Sequence, residues 1–365
     1  MLRILSRLSA LSGTCLILTL AFAGRALAEQ DSASPNEIAP RAATYTIDDL
    51  GLLPPVADDV TVSLNRDGAV AYWSKTAGAI HATVWQRGQT NVIDAVPGFP
   101  NTIAHAINGR GDIAGWMNSS GNLVDSLSTT QGFVLSGGHV LTLSGLGGRE
   151  GRVNGLNDKG VAVGAADTAT GDRVAFVADG ILGATGPVVT GLGTLPAGKA
   201  SAAYAVNNAG VIVGSADVDG RAEHAVSWVN RKIVDLGTLP HGNSSSARSI
   251  NDRGQIVGFS DSPDGIHAFL YAGAAMRDLG TLGNDPSEAS GINNRGEVVG
   301  ASNVTGSKRH AFLWRRGRMI DLNEALPKGS GWTLLNAFSI NDRGQIACSA
   351  SRKGEGTHLV LLTPR

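Results

Sequence analysis

The stretch Ala247–Leu282, ARSINDRGQIVGFSDSPDGIHAFLYAGAAMRDLGTL, holds one complete copy of a unit that the rest of the chain repeats. Its four short apolar runs, separated by turn signals, are of strand rather than helix length. Run a is Ala247–Ile250; Asn251-Asp252-Arg253-Gly254 turns it into b, Gln255–Phe259; c is His267–Tyr271 and d is Met276–Leu279. The a–b turn has a chemical cause, since Asn and Asp side chains bond nearby backbone and Gly supplies the positive φ that short hairpin loops need. The β-branched and aromatic residues of c suit a pleated surface. Four strands joined this way make an antiparallel meander.

The Asn of the a–b turn recurs at Asn65, Asn108, Asn157, Asn207, Asn251, Asn293 and Asn341, with separations of 43, 49, 50, 44, 42 and 48 residues. That spacing fits one four-stranded propeller blade per copy and is too long for one coil of a β-solenoid. The Gly three residues on recurs in every copy, from Gly68 to Gly344. The expected fold is therefore an all-β, seven-bladed β-propeller of four-stranded antiparallel blades.

The recurring pieces His310–Trp314 (HAFLW), Asp235–Leu239 and Asp278–Leu282 (DLGTL), and Ile250–Ile256 and Ile340–Ile346 (INDRGQI) resemble the HAF-repeat family of extracellular repeat proteins. The resemblance covers roughly Tyr45 to Pro364, is strongest after Ala203 and is weakest in the second copy, which has Gln131-Gly132-Phe133 for His-Ala-Phe; the third has Val174-Ala175-Phe176. It implies a bacterial exported repeat protein and carries over no catalytic residue.

At the start, Arg3 and Arg7 precede an apolar run from Leu16 to Phe22 and the small-residue pattern Ala26-Leu27-Ala28. Residues 1–28 read as a secretory signal peptide cleaved before Glu29, with a lipoprotein on Cys15 or an uncleaved anchor as alternatives. Residues 29–43 are polar with two prolines and read as a disordered spacer, leaving 44–365 as the repeat domain. After cleavage Cys348 is the remaining cysteine, so no intrachain disulfide is available and packed sheets must supply stability. The 49 glycines fit a chain with many turns, and a formal net charge of −1 without a basic block argues against a nucleic-acid partner.

The segment Ala43–Leu52, ATYTIDDLGL, resembles a strand d with no a to c before it, whereas the seventh copy has a to c and then stops. A closed ring in which the N-terminal strand completes the last blade resolves both ends, because closure leaves only short, protected edges. Length variation concentrates in the b–c and d–a loops, which such a meander places on one side of the ring. Repeat scaffolds commonly bind through their variable loops, although drift alone also lengthens loops.

On that face the candidate binding residues are Asp217, Asp219, Arg221, Asp261, Asp264, Asp285, Glu288, Lys308, Arg309 and Trp332. Trp116 joins Trp332 as an aromatic able to stack on a sugar, with core packing the alternative for both. The histidines opening strand c, His81, His224, His267, His310 and His358, are spread around the ring and cannot converge on one ion, so they read as ties between neighbouring strands. Calcium in the variable loops, at Asp261/Asp264 or Asp217/Asp219, stays open, but no cofactor, metal site or catalytic residue is assigned. No nucleophile elbow, phosphate loop or singled-out carboxylate pair appears.

Three readings remain: an exported, monomeric, non-catalytic scaffold for a cell-envelope protein or polysaccharide; a glycan hydrolase or lyase with its site at the channel mouth; and a passive surface or matrix component. Periplasm and extracellular release are both compatible with the sequence.

Overall fold

The computed structural model describes residues 45–53, 61–76, 78–93, 96–120, 129–183 and 186–365. The expected leader, spacer and residue 44 lie outside these, as does the middle of the 118–131 loop. Strand β1 (Tyr45–Leu52) opens the described chain, followed by one sheet of β2 (Ser63–Leu64), β3 (Val70–Thr76), β4 (Ala79–Gln86) and β5 (Gln89–Val92). Next come β6 (Asn101–Ile107), β7 (Ile113–Asn118), β8 (Thr130–Ser136), β9 (His139–Leu143), β10 (Gly147–Leu156), β11 (Ala162–Thr168), β12 (Arg173–Asp179) and β13 (Val188–Gly191), all in one sheet.

Three further sheets follow the meander order: β14 (Ser201–Val206), β15 (Ile212–Asp217), β16 (Glu223–Val229) and β17 (Lys232–Gly237); β18 (Ser245–Ile250), β19 (Ile256–Ser262), β20 (Gly265–Ala272) and β21 (Ala275–Asp278); β22 (Asn284–Ile292), β23 (Val298–Asn303), β24 (Arg309–Arg315) and β25 (Arg318–Asp321). The chain ends in β26 (Trp332–Ile340), β27 (Ile346–Arg352) and β28 (Thr357–Pro364), and β1 pairs antiparallel with β28 to complete that sheet. The fold is an all-β propeller in which five blades are separate four-stranded antiparallel sheets.

The expectation of seven separate blades is thus corrected: five are separate, and β6–β13 form one eight-stranded sheet joined where Glu150 of β10 pairs in parallel with Thr130 of β8. The junction differs from most others in its local chemistry. At four junctions the backbone N–H of the second residue of the His-Ala-Phe motif donates to a hydroxyl of the next sheet: Ala82 to Thr102 at 3.0 Å, Ala175 to Ser201 at 2.9 Å, Ala225 to Ser245 at 2.7 Å and Ala268 to Ser287 at 2.9 Å. At this junction Gly132 replaces the Ala and Gly151 the Ser or Thr, so no side chain holds the backbones apart. A Cβ on Gly132 would stand 2.9 Å from Val153 Cγ2.

The other motif residues divide the work. His224, His267 and His310 bond through Nδ1 to Asp235 (2.9 Å), Asp278 (2.7 Å) and Asp321 (2.6 Å) on the neighbouring strand d. Each Asp also accepts the backbone N–H two residues on, which explains why Asp-Leu-Gly travels with His-Ala-Phe. The closure repeats this chemistry across the chain's two ends, with His358 Nδ1 3.0 Å from Asp49. His81 lacks the bond, because Val92 occupies the Asp position. The expected strand-tying role therefore holds for four of these five histidines.

The third motif residue fills the core: Phe133, Phe176, Phe269 and Phe312 are all buried, each worth about 1.5–3 kcal/mol of burial. The core is a set of seams between neighbouring sheets. One such seam unites Leu50, Leu53, Leu64 and Val70 with Ala347, Leu359 and Leu361, so the closing strand packs against the first sheet as well as pairing with the last. Burial pushes the Tyr45 phenol at its start up to about 12.

Candidate ligand-binding channel

Each a–b turn is built by its Asn. The side-chain oxygen accepts the backbone N–H groups two and four residues on at 2.9–3.1 Å in all seven copies, and the Gly three residues on takes a positive φ in each. The side-chain nitrogen reaches sideways. Asn65 donates to the Asn108 carbonyl, Asn108 to Asn157, Asn157 to Asn207, Asn207 to Asn251, Asn251 to Asn293, Asn293 to Asn341, and Asn341 back to Asn65, all at 2.9–3.2 Å. All seven are buried, and the hydrogen bonds close a ring around the central channel. Asp could not replace them, having no donor, and Ser has neither the reach nor the second polar atom.

At this turn face the channel opens into a cavity of 360 Å³ bordered by the residues that follow each Asn, including Arg66, Asp158, Asn208, Asp252, Asn294 and Asp342. These polar groups bind one another. Asn208 Nδ2 lies between Asp252 (3.2 Å) and Asp158 (3.4 Å), and Asn294 Nδ2 is 3.0 Å from Asp342. Among the described residues no cluster of three His, Cys, Asp or Glu side chains is arranged to hold a metal ion.

Moving inward, Leu64, Ile107, Leu156, Val206, Ile250, Ile292 and Ile340 line the channel beside the Asn ring. Beyond them the channel-lining strands β6, β10, β14, β18, β22 and β26 carry a register shift at His105, Asn154, Tyr204, Arg248, Ser290 and Phe338, three residues before the Asn. A bulge frees its extra residue from the ladder and re-aims the side chain, and all six border the channel. At five of the six bulges the facing strand carries a glycine that fits the close approach, since a Cβ on Gly115, Gly164, Gly214, Gly258 or Gly300 would lie 1.8–2.0 Å from a carbonyl oxygen of the bulged strand; at Phe338 the facing residue is Cys348.

The loop face opens into a cavity of 580 Å³ lined by these residues together with Arg152, Arg173, Phe259, Glu288 and Asn336. A one-way chain of donors runs along one wall. Trp116 Nε1–H donates to His105 Nε2 (3.1 Å), which places the imidazole hydrogen on Nδ1, facing Asn154 Oδ1 (3.2 Å); Asn154 Nδ2 then donates to the Ala203 carbonyl (2.9 Å). Arg173 is matched by Glu150 (3.1 Å) and Asp167 (3.4 Å). Arg248 instead stacks between Tyr204 and Phe259, 4.5 and 5.1 Å from the ring centroids.

The expected clustering of b–c and d–a loops on one side is seen. Asp217 accepts the N–H of Lys199 across them, and Asp261 those of Asn243 and Ser244. Hydrogen bonds from the Lys199 and then the Gly220 amides hold the Asp217 carboxyl below the usual carboxylate range. Asp219 accepts the N–H groups of Arg221 and Ala222, while Arg221, Asp264 and Lys308 are exposed on loop tips.

Asp285 bonds His267 Nε2 at 2.8 Å, and Trp332 packs edge-on against His358 with Arg352 over its ring. Glu288, paired with Arg309 at 2.8 Å, is the one of the ten that lines the mouth. Trp116 is buried, with Arg152 over its ring at 4.6 Å. The channel residues escaped sequence reasoning because bulges hide them, although a signal exists: the position three before each Asn reads Val62, His105, Asn154, Tyr204, Arg248, Ser290 and Phe338, a different residue in every copy.

Sheets around a central channel define a β-propeller protein. No family model and no curated protein matches the chain. Among solved structures it is similar to the β-propeller domain of the Trilobed protease from Pyrococcus furiosus, at 10% identity and TM-score 0.53 over 87% of this chain and 95% of that one. It is also similar to the acylaminoacyl peptidase of Pyrococcus horikoshii, at 13% identity and TM-score 0.50, covering 83% of this chain and 50% of that one, so it spans half the length of that protein. At such identities the likeness establishes the fold alone. Among the described residues no helix is long and apolar enough to cross a membrane.

Proposed function

We propose that this chain is an exported, non-catalytic binding module of the HAF-repeat type that takes a cell-envelope polysaccharide at its loop-face channel mouth. The observation that carries the proposal is the contrast within each repeat: the Asn and Gly of the turn recur in all seven copies, while the channel position three residues before the Asn differs in every copy. A cavity of 580 Å³ is of the size that holds small ligands or chain ends rather than a flat protein surface. Export rests on the Arg3 to Ala28 leader pattern and directs the protein to the periplasm or beyond the cell. We count the eight-stranded sheet as two blades and the propeller as seven-bladed, because seven Asn side chains close the ring.

The test passes a cell-envelope extract over the immobilised chain and identifies what is retained by mass spectrometry. Retained intact glycan supports the proposal. Fragmented glycan in the flow-through replaces it with a hydrolase or lyase, a retained protein replaces the ligand class, and no retention refutes it in favour of a passive component.

A further inference from the structure

Of the arginines that line the loop-face mouth, Arg152 and Arg173 both lie near Glu150, whereas Arg248 has no carboxylate in reach among the described residues. Arg248 makes no ion pair or hydrogen bond among the described residues, whereas Arg173 and Arg309 face carboxylates. It is nevertheless held in place. Stacking between Tyr204 and Phe259 fixes the plane of the guanidinium and leaves its edge, which carries the N–H donors, directed away from both rings. Arg248 occupies the bulge of β18, so its side chain leaves the ladder at the channel wall.

The same cavity offers three further chemistries. Asn336 Oδ1 is buried and without a hydrogen-bond partner among the described residues, an acceptor in want of a donor. The Ser290 hydroxyl and the Phe338 ring also line it. His105 accepts from Trp116 at Nε2 and faces Asn154 Oδ1 with Nδ1.

Resting on the reading of the mouth as a glycan site, we propose that it is a subsite for a carboxylated sugar, a hexuronate residue of an acidic polysaccharide. Arg248 receives the carboxylate through paired N–H donors, Asn336 Oδ1 accepts a ring hydroxyl, and Phe338 offers an apolar face to the sugar's C–H groups. The single positive charge of Arg248 matches a monoanion. A phosphate dianion would leave a second negative charge uncompensated at the mouth. The opposite end of the channel disfavours anions, since Asp158, Asp252 and Asp342 border it against Arg66 alone, so an acidic chain enters from the loop face.

The experiment is calorimetric titration of the full chain with trigalacturonate, its methyl ester, maltotriose and glucose 6-phosphate, alongside the envelope retention assay. Trigalacturonate is expected to bind saturably, with affinity falling as salt rises, and both neutral trisaccharides at least about tenfold more weakly. Arg248→Met should lose at least about tenfold for trigalacturonate, to the level of the methyl ester, with its melting temperature unchanged because the side chain is exposed. Asn336→Asp, which places a carboxylate beside the ligand's own, should weaken the acid more than the ester.

Equal binding of acid and ester, equal binding by wild type and Arg248→Met, or preference for glucose 6-phosphate overturns the inference. If the envelope glycan is retained by wild type and Arg248→Met alike, the binding-module reading survives and the carboxylate subsite falls. If nothing is retained by wild type, both fall.

Discussion

Replacing Asn251 by Ala tests whether the Asn ring holds the propeller together. The substitution removes two acceptor bonds, from Arg253 N–H (3.1 Å) and Gln255 N–H (3.0 Å), and the donor bond to the buried Asn293 carbonyl (2.9 Å). The Gln255 side chain, also bonded to Asn251 at 2.8 Å, can turn to water. Two partly buried amides at about 1 kcal/mol each and a buried carbonyl left unpaired at about 1–3 kcal/mol give a loss of about 3–5 kcal/mol. With an unfolding entropy of about 2.1 cal/mol/K per residue over roughly 300 ordered residues, 4 kcal/mol corresponds to about 6 °C in Tm. The assay is calorimetric and denaturant unfolding of wild type, Asn251→Ala and the control Asn243→Ala. Asn243 is exposed and bonds Asp261 through its backbone N–H, so its truncation should stay within about 0.5 kcal/mol. A loss below about 1 kcal/mol for Asn251→Ala would refute a structural ring, since water would then be satisfying the same groups.

A chain beginning at Leu53 lacks β1, leaving β28 as an open edge and His358 without Asp49; it should aggregate or unfold without a cooperative transition, and a monodisperse profile with wild-type melting would contradict closure. Gly258→Ala sets a Cβ 1.9 Å from the Ser246 carbonyl oxygen, so β18 must move, and unfolding should show a loss of about 3 kcal/mol or more; a loss under 1 kcal/mol by the same measurement would mean the bulge yields freely. Burial opposes charging of His267, but Asp278 and then Asp285 outweigh it and raise its pKa above the ordinary value. The stabilisation is thus complete below the unfolded pKa of about 6.5 and is lost as pH rises through the higher folded value. The Tm gap between wild type and His267→Gln should narrow from pH 5.5 toward about pH 8.5, and a constant gap would remove the titrating clasp.

The repeated hydrogen-bond frame was legible in sequence because its residues are local signals: Asn and Gly mark the turns, and His-Ala-Phe and Asp-Leu-Gly mark strands c and d. Ring closure was legible too, from the orphan strand at Tyr45 and the seventh copy's missing d. The fused sheet was not anticipated, since the close approach of the two backbones at Gly132 and Gly151 leaves no periodic trace. The candidate residues were sought in loops, where Asp217, Asp219 and Asp261 turned out to accept their own neighbourhood's amides. The mouth was hidden because alternation assigns strand residues to one face or the other, and a bulge breaks that alternation by one residue at the position facing the channel.

The bulges also separate two tasks that most strands combine. In a regular strand, a side chain turned toward a ligand shares its backbone with the ladder, so changing one disturbs the other. Here the displayed residue stands outside the pairing register, while Asn three positions on, with Gly on the facing strand at five of the six bulges, keeps the frame. The repeat therefore works like a socket with interchangeable contacts: aromatic, cationic, amide or hydroxyl groups occupy equivalent places in successive copies of one backbone. A lumen of new selectivity is reachable from this one through replacements at those places, made singly or with the neighbour each one touches, as His105 touches Asn154 and Arg248 touches Tyr204.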